Sequence, residues 1–186
     1  MLDAVIGAQV FRDQQTLTGE RVRLEPLTQA VQEDYLTTLR DPEVQRLTGS
    51  HEPVDPDEVK WWLATRQDHH DRADWAAVRI ADGAFLGEAV INLLDVDNAS
   101  ANYRILLGSP YTDRGYGTEI TRLVVDHALG VGLHRLSLGV YAFNPRARRV
   151  YEKCGFVLEG RLRDTLLWDG QWHDELVMSV LAGDPR

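Results

Sequence analysis

The sequence has little cysteine, no long apolar run and a deficit of positive charge. Cys154 is the single cysteine, so no internal disulfide is available, which suits a reducing compartment. No apolar run approaches the roughly 18 residues that a membrane-spanning helix needs. Residues 1–19 also lack the basic start and the apolar core of a signal peptide. We therefore expect a cytoplasmic protein that binds no membrane.

The charge balance argues against one class of partner. The chain has 20 Lys and Arg against 29 Asp and Glu, a net charge of −9, whereas non-specific nucleic-acid binding depends on basic residues. We expect no nucleic-acid partner. The six histidines show no metal-ligand spacing, so we also predict no metal.

The charges are unevenly distributed along the chain. Residues 33–58 contain eight acids and two arginines, whereas residues 144–163 contain six basic residues and two acids. If both segments line one cleft, they would attract a cation to one side and a polyanion to the other. The alternative is two solvated faces without a partner.

Hydrophobic periodicity and turn residues predict one domain over residues 20–182, preceded by an N-terminal extension over residues 1–19. The predicted order is a strand, two helices, three strands joined by tight turns, a helix, a strand, a helix and two strands. These elements cover residues 20–27, 28–40, 55–70, 74–81, 84–94, 101–107, 115–131, 133–143, 144–154, 156–168 and 171–181. This order indicates a mixed α/β (α+β) domain. Trp61 and Trp62 on the second helix are expected to face the core, with a substrate groove as the alternative.

A glycine-containing segment lies where the third meander strand gives way to a helix. It contains Arg114, Gly115, Tyr116, Gly117 and Thr118. Glycines at a helix N-terminus let a diphosphate approach the free N–H groups closely, and the Thr118 hydroxyl could add a donor. The third glycine of a dinucleotide fingerprint and the Gly-Lys-Ser/Thr of a P-loop are both absent. A turn without a ligand remains the alternative.

A second group of residues begins the next helix. Asn144 caps it ahead of Pro145, and Ala147, Arg148 and Tyr151 follow along the same face at three- and four-residue steps. A small residue at 147 leaves room for an extended ligand chain, and Tyr151 would point its hydroxyl along that face. A tyrosine buried in the core is the alternative.

The two groups together resemble the GNAT superfamily of acetyl-CoA-dependent N-acetyltransferases. The motif Gln/Arg-x-x-Gly-x-Gly/Ala matches residues 112–117, with Thr112 in place of Gln or Arg, and Asn-x-x-Ala-x-x-x-Tyr-x-x-x-Gly-Phe matches Asn144, Ala147, Tyr151, Gly155 and Phe156. Within the superfamily, the sequence is most similar to the RimJ/RimL-type ribosomal-protein alanine N-acetyltransferases.

The resemblance implies a fold, a cosubstrate and roles for some residues. It implies a splayed, mostly antiparallel mixed sheet of about seven strands, flanked by about four helices, with acetyl-CoA as cosubstrate. It also implies a β-bulge near Ile105 and Leu106, which would offer an amide to the thioester oxygen and splay the sheet. The Arg114–Thr118 amides would hold the pyrophosphate, and Asn144, Ala147 and Arg148 would line the cofactor. Tyr151 would protonate the departing thiolate.

The general base is harder to identify from the sequence. Glu88 is the best candidate on the meander strands, and Asp174, His173 and His134 are weaker ones. A purely structural role is the alternative for each of them. An α-amine releases its proton at pH 7 for about 1 kcal/mol, against about 4.6 kcal/mol for a lysine amine. A site without a clear carboxylate base thus favours a protein or peptide N-terminus, with a water chain or Glu88 relaying the proton.

Other functions remain open at this point. A small cationic amine such as an aminoglycoside, a polyamine or an amino-acid-like toxin is an alternative acceptor, and a non-catalytic acyl-CoA-binding module is an alternative of another class. The protein is expected to be a monomer or a homodimer.

Overall fold

The computed structural model describes residues 6–7 and 9–185, and over these residues it forms one eight-stranded sheet with five α-helices. The strands are β1 (Leu17–Thr18), β2 (Val22–Pro26), β3 (Ala73–Arg79), β4 (Phe85–Asp95), β5 (Ser100–Leu107), β6 (Arg135–Tyr141), β7 (Val157–Trp168) and β8 (Gln171–Leu181). Their spatial order is β1-β2-β3-β4-β5-β6-β8-β7, and only β5 and β6 pair in parallel. The predicted fold class is confirmed.

The helices begin where the sequence offers a cap. They are α1 (Gln32–Leu39), α2 (Pro42–Thr48), α3 (Pro56–Thr65), α4 (Tyr116–Gly130) and α5 (Pro145–Lys153). Asp41 and Asp55 accept hydrogen bonds from the backbone two residues on and are followed by proline, the arrangement that starts a helix. The predicted elements leave residues 41–54 without a helix, whereas Asp41-Pro42 begins α2. This adds a helix to the predicted four.

The helices cover the sheet on two faces. One large core joins the sheet to α4 and α5 and includes Leu136, Leu138 and Val140 of β6. A smaller core, with Tyr35, Leu63 and Phe85, lies under α1 and α3 on the other face. The expectation for the tryptophans is wrong for Trp61, which is 67% exposed, because on α3 it points away from the smaller core. Trp62 is half-buried and stacks on Tyr35.

The sheet splits between its two parallel strands. β5 and β6 pair only at Ser100–Arg135, Ala101–Leu136 and Asn102–Ser137. Beyond these pairs the two strands no longer bond to each other, while β5 stays paired with β4 and β6 with β8. The bulge expected at Ile105 and Leu106 is not found in the β4–β5 ladder, where Ala89 pairs with Ile105 and Glu88 with Leu106 in register. The separation of β5 from β6, and not a bulge at that point of the ladder, opens the sheet.

Part of the predicted N-terminal extension packs against the domain. Ile6 and Phe11 are buried in the larger core, the Trp75 indole donates a hydrogen bond to the Gln15 carbonyl, and β1 pairs with β2. Residues 1–5 and 8 of that extension lie outside the described residues, and the boundary at residue 20 stays a prediction. No helix of residues 6–7 and 9–185 has the length and apolar character needed to cross a membrane.

Candidate active site

The N-terminus of α4 presents a row of free backbone donors. Gly115 caps the helix with a φ of +83°, a conformation that favours glycine. The N–H groups of Gly115, Tyr116, Gly117 and Thr118 donate to no acceptor among the described residues. Free N–H groups at a helix N-terminus, together with the helix dipole, form a site for an anion. The predicted glycine segment therefore has the geometry of a phosphate cradle.

The two glycines of this segment have different roles. A Cβ added at Gly117 would meet the nearest atoms, on Val150 and Leu107, at 3.8–4.0 Å, an ordinary contact distance. Gly115 carries the conformational requirement because its φ is positive. Thr112, which stands where Gln or Arg is usual, uses its hydroxyl to donate to the Ser109 carbonyl at 2.9 Å. The cradle thus depends on backbone donors.

Arg21 and Glu119 hold this cradle against the sheet, and sequence reasoning missed both. The Arg21 guanidinium donates to the Arg114 carbonyl at 3.1 Å, and its Cζ atom lies 5.0 Å from the Tyr116 ring centroid. Glu119 accepts the backbone N–H of Arg21 at 2.7 Å and that of Val22 at 3.1 Å. Because these partners are nearly a hundred residues apart, no local pattern could have revealed them.

The predicted residues of α5 lie together, as their spacing requires. The Asn144 side-chain oxygen accepts the Ala147 N–H at 3.0 Å, so its amide NH₂ is the group left to donate to a ligand. Arg148 is engaged with Glu152 at 2.8 Å. A residue not expected at the site, Arg146, bridges to Glu43 of α2 at 2.9 Å and to Asp113 at 3.5 Å. This arginine ties the start of α5 to the loop before α4.

Tyr151 lies at the C-terminal end of α5, 7% exposed. Its ring packs edge-on to Tyr103 at 6.4 Å and tilted against Phe156 at 5.8 Å. Its hydroxyl has no hydrogen-bond partner among the described residues. Burial, with a smaller effect of Cys154, raises the pKa of Tyr151 above its ordinary value. Burial therefore favours the neutral form of the Tyr151 side chain.

Glu88 lies on the opposite face of the sheet, under α1. It is 2% exposed, one carboxylate oxygen accepts the Tyr35 hydroxyl at 2.8 Å, and the other faces Arg104 at 3.7 Å. Burial raises the pKa of Glu88, while Arg104 and the Tyr35 hydrogen bond oppose that rise. Glu88 is therefore buried on the α1 face of the sheet, where the Tyr35 hydroxyl covers its carboxylate.

The weaker base candidates are engaged elsewhere. The Asp174 carboxylate accepts the Asp164 N–H at 2.9 Å and the Arg161 guanidinium, which fixes the β7–β8 hairpin. His173 packs against Phe143. His134 is exposed and precedes β6, at the end where β5 and β6 are paired. Among residues 6–7 and 9–185, no group of three or more His, Cys, Asp and Glu could hold a metal ion.

Comparisons with known proteins agree on one family. A model described as an acetyltransferase (GNAT) domain matches residues 21–157. Spermidine N(1)-acetyltransferase of Vibrio cholerae is 27% identical over 95 residues, which are 50% of this chain and 55% of that protein. The chain thus spans about half the length of that relative.

Two further comparisons cover more of the chain. The SPbeta prophage-derived uncharacterized N-acetyltransferase YokL of Bacillus subtilis is 26% identical over 88% of this chain and 91% of its own length. The crystal structure of spermidine N-acetyltransferase from Vibrio cholerae in complex with CoA and spermine has a TM-score of 0.81 at 19% identity, over 88% of this chain and 97% of that one. At that identity, the structural likeness shows the fold alone.

Proposed function

Because the chain belongs to the GNAT acetyltransferase family, we propose that it transfers the acetyl group of acetyl-CoA to a primary amine, with the α-amine of a protein or peptide N-terminus as the preferred acceptor. The observation that carries this proposal is the row of free N–H groups from Gly115 to Thr118, next to a split in the sheet.

The residues fit acetyl-CoA as follows. The amides of residues 114–118 are suited to the pyrophosphate, since they donate to no acceptor within residues 6–7 and 9–185 and lie at the positive end of α4. The edge of β5 at Ile105 and Leu106 faces the split without a ladder partner there, which suits an extended pantetheine chain. Asn144, Ala147 and Arg148 of α5 are proposed to line the rest of the cofactor. When bound, acetyl-CoA supplies an activated acyl group.

Tyr151 is proposed as the acid that protonates the leaving sulfur. Its hydroxyl is uncommitted and stays protonated at neutral pH, since burial raises its pKa. Its Tyr103 neighbour lies one residue past the last β5–β6 pair. Glu88 is proposed to contribute negative charge on the acceptor side. Because the Tyr35 hydroxyl caps its carboxylate, any proton that reaches Glu88 has to pass through a relay.

The preference for an α-amine depends on proton energetics. Removing a proton at pH 7 costs about 1 kcal/mol for an α-ammonium and about 4.6 kcal/mol for an alkyl ammonium like that of lysine. Carboxylates are weak bases even when burial raises their pKa, so the less basic amine is the easier substrate.

A polyamine is the second candidate. The chain is 27% identical over half its length to a spermidine N(1)-acetyltransferase. The acid-rich segment over residues 33–58 includes α1 and the start of α3, which cover the face that carries Glu88. A polycation would be attracted to that face.

An acceptor panel tests the proposal. Acetyl-CoA would be incubated with peptides bearing a free N-terminal amine, the same peptides with blocked N-termini, spermidine and an aminoglycoside, and release of free thiol would be followed. We expect faster release with free N-termini than with blocked peptides. Faster release with spermidine than with any peptide would transfer the assignment to polyamines. Acetyl-CoA binding without acceleration by any amine would refute the catalytic proposal.

A further inference from the structure

Besides Glu88, the same face of the sheet carries the carboxylate of Glu175, which lies at the split between β5 and β6. Glu175 of β8 leans over Gly139 of β6, so that a Cβ added at Gly139 would lie 1.8 Å from the Glu175 Oε1 atom. A glycine in the interior of a strand weakens it by about 0.5–1 kcal/mol relative to alanine. The Glu175 carboxylate occupies the space that a side chain at position 139 would take.

The alternation of side chains along β8 places the Glu175 carboxylate on the same face of the sheet as Glu88. Leu176, Met178 and Val180 of β8 belong to the core under α4 and α5. Glu175 therefore lies on the other face, the one that carries Glu88. Gly139 is two residues past Ser137, the last β6 residue paired with β5. The Glu175 carboxylate thus lies beside the opening between the two strands.

The space above Glu175 is bounded on several sides. Tyr141, its partner across the β6–β8 ladder, lies beside it. The end of α2 covers Tyr141, because a Cβ at Gly49 would be 2.4 Å from the Tyr141 hydroxyl. Arg46 of α2 lies on the Phe143 ring at 4.5 Å, and Arg161 of β7 is paired with Asp174. Among the described residues neither arginine pairs with Glu175.

Glu175 differs in this respect from three other carboxylates on the strands of the sheet. Glu88 is hydrogen-bonded to Tyr35, Asp174 to Arg161, and Glu159 to Arg135. Glu175 has no hydrogen bond or ion pair among the described residues, although it is half-buried. Burial raises the pKa of Glu175, and its charge contributes, after burial, to the raised pKa of Tyr141. A half-buried carboxylate without a partner suits a cation that arrives from outside.

We propose that Glu175 binds the ammonium group of the acceptor beside the split and accepts one of its protons. This proposal rests on the proposed acetyl transfer. The carboxylate takes one proton from R–NH₃⁺, and the freed lone pair forms the C–N bond to the acetyl carbon. The C–S bond breaks, and the sulfur leaves as a thiol with a proton from Tyr151, which the second amine proton replaces. The proton on Glu175 returns to solvent.

Glu175→Gln tests the proposal directly. It keeps the shape of the side chain and removes its charge and basicity. We expect kcat/KM for the acceptor to fall by about 10²–10⁴-fold, the range of general-base catalysis. The Kd for acetyl-CoA should stay within about twofold, because no part of the α4 cradle changes. The variant should regain activity as the pH rises towards the acceptor pKa of about 7.7–8, since free amine then forms without a base.

Two kinds of control separate this role from a structural one. Glu159→Gln removes a carboxylate of β7 that pairs with Arg135, at the far end of β6 from Gly139, and should leave acetyl transfer unchanged. Gly139→Ala should displace the Glu175 carboxylate and lower turnover. Adding Glu175→Ala to Gly139→Ala should relieve the clash and restore thermal stability without restoring turnover.

The outcomes can be told apart. The proposal is overturned if the wild type transfers acetyl and Glu175→Gln keeps the wild-type kcat/KM for the acceptor. It is also overturned if Glu88→Gln lowers that kcat/KM and Glu175→Gln does not. If the wild type transfers acetyl to no amine, the proposed function fails. The binding role of Glu175 is then tested by calorimetry, in which spermidine or a peptide with a free N-terminus is titrated into the acetyl-CoA-saturated protein. Amine binding that disappears in Glu175→Gln supports its binding role, whereas equal binding or no binding overturns it.

Discussion

Replacing Tyr151 with phenylalanine isolates the function of one hydroxyl group. The ring packs against Tyr103 and Phe156, and phenylalanine keeps these contacts. The hydroxyl has no hydrogen-bond partner among the described residues, so its loss leaves no buried group unpaired. We expect the free energy of unfolding to change by less than about 0.5 kcal/mol. Turnover should fall by about 10²–10⁴-fold, the range for a general acid, or about 2.7–5.4 kcal/mol of activation free energy.

The assay is thiol release under saturating acetyl-CoA, with acetyl-CoA affinity measured separately. Because burial raises the pKa of Tyr151, the wild-type side chain stays protonated, and the loss in Tyr151→Phe should be the same at pH 7 and pH 9. A loss of acetyl-CoA affinity without a loss of turnover, or a loss confined to one end of this pH range, would refute the acid assignment.

Tyr103→Phe is the matched control. Tyr103 is also buried, in the same aromatic group, but its hydroxyl shares a hydrogen bond with Thr121 at 3.0 Å. Its removal should leave turnover nearly unchanged and lower the free energy of unfolding by about 1–2 kcal/mol, since the fully buried Thr121 hydroxyl loses its partner. If the two variants behaved alike, packing in this group, and not proton donation, would account for the effect of Tyr151→Phe.

Two further predictions concern the cradle and the surface of the sheet. Gly115→Ala should lower the free energy of unfolding by about 1–2 kcal/mol and raise the KM for acetyl-CoA, because the φ of Gly115 is +83°. Gly117→Ala should fold normally and keep that KM within about twofold. Equal losses for the two variants in urea unfolding and in kinetics would contradict this prediction. Arg135, followed by Ser179, lowers the pKa of Glu159 from 4.5 to about 2, so the ionised form is stabilised in the fold. Glu159→Gln should therefore reduce the free energy of unfolding at pH 7 by about 0.5–1 kcal/mol at this half-exposed site. That difference should shrink as the pH falls from 4.5 towards 2 in urea titrations, and a difference that persists at pH 2 would contradict the assignment.

Features that depend on neighbours in the chain were predictable from the sequence. Asp55 and Asn144 have short polar side chains before a proline, and each caps a helix. The Asp169–Gly170 turn has positive φ at both residues, as a tight hairpin between β7 and β8 requires. The glycine segment and the face of α5 were predictable for the same reason, since a helix fixes which residues share a side.

Features that depend on residues far apart in the chain were not predictable. Predicting the bond from Arg21 to the Arg114 carbonyl requires knowing that β2 begins beside the start of α4. The contact of Glu175 with Gly139 depends on the direction in which a β8 side chain leans over β6. Glu88 was predicted from its position on a strand, but the Tyr35 hydroxyl that covers its carboxylate belongs to α1, 53 positions earlier in the chain. Sequence patterns therefore predicted the glycine segment and the face of α5, but not the distant contacts of Arg21, Glu88 and Glu175.

The sheet itself separates the proposed acid from the proposed base. Tyr151 contacts the Tyr103 ring on the α5 face of the sheet, and Glu175 lies over Gly139 on the opposite face. An acid and a base on one face, close enough to share a hydrogen bond, could satisfy each other without a substrate. Here the strands between them prevent that contact, except where β5 and β6 part beyond Asn102 and Ser137. An acyl group held in that opening would be reached by the amine from one face and by the Tyr151 proton from the other, so the split is the place where both proton transfers can serve one reaction.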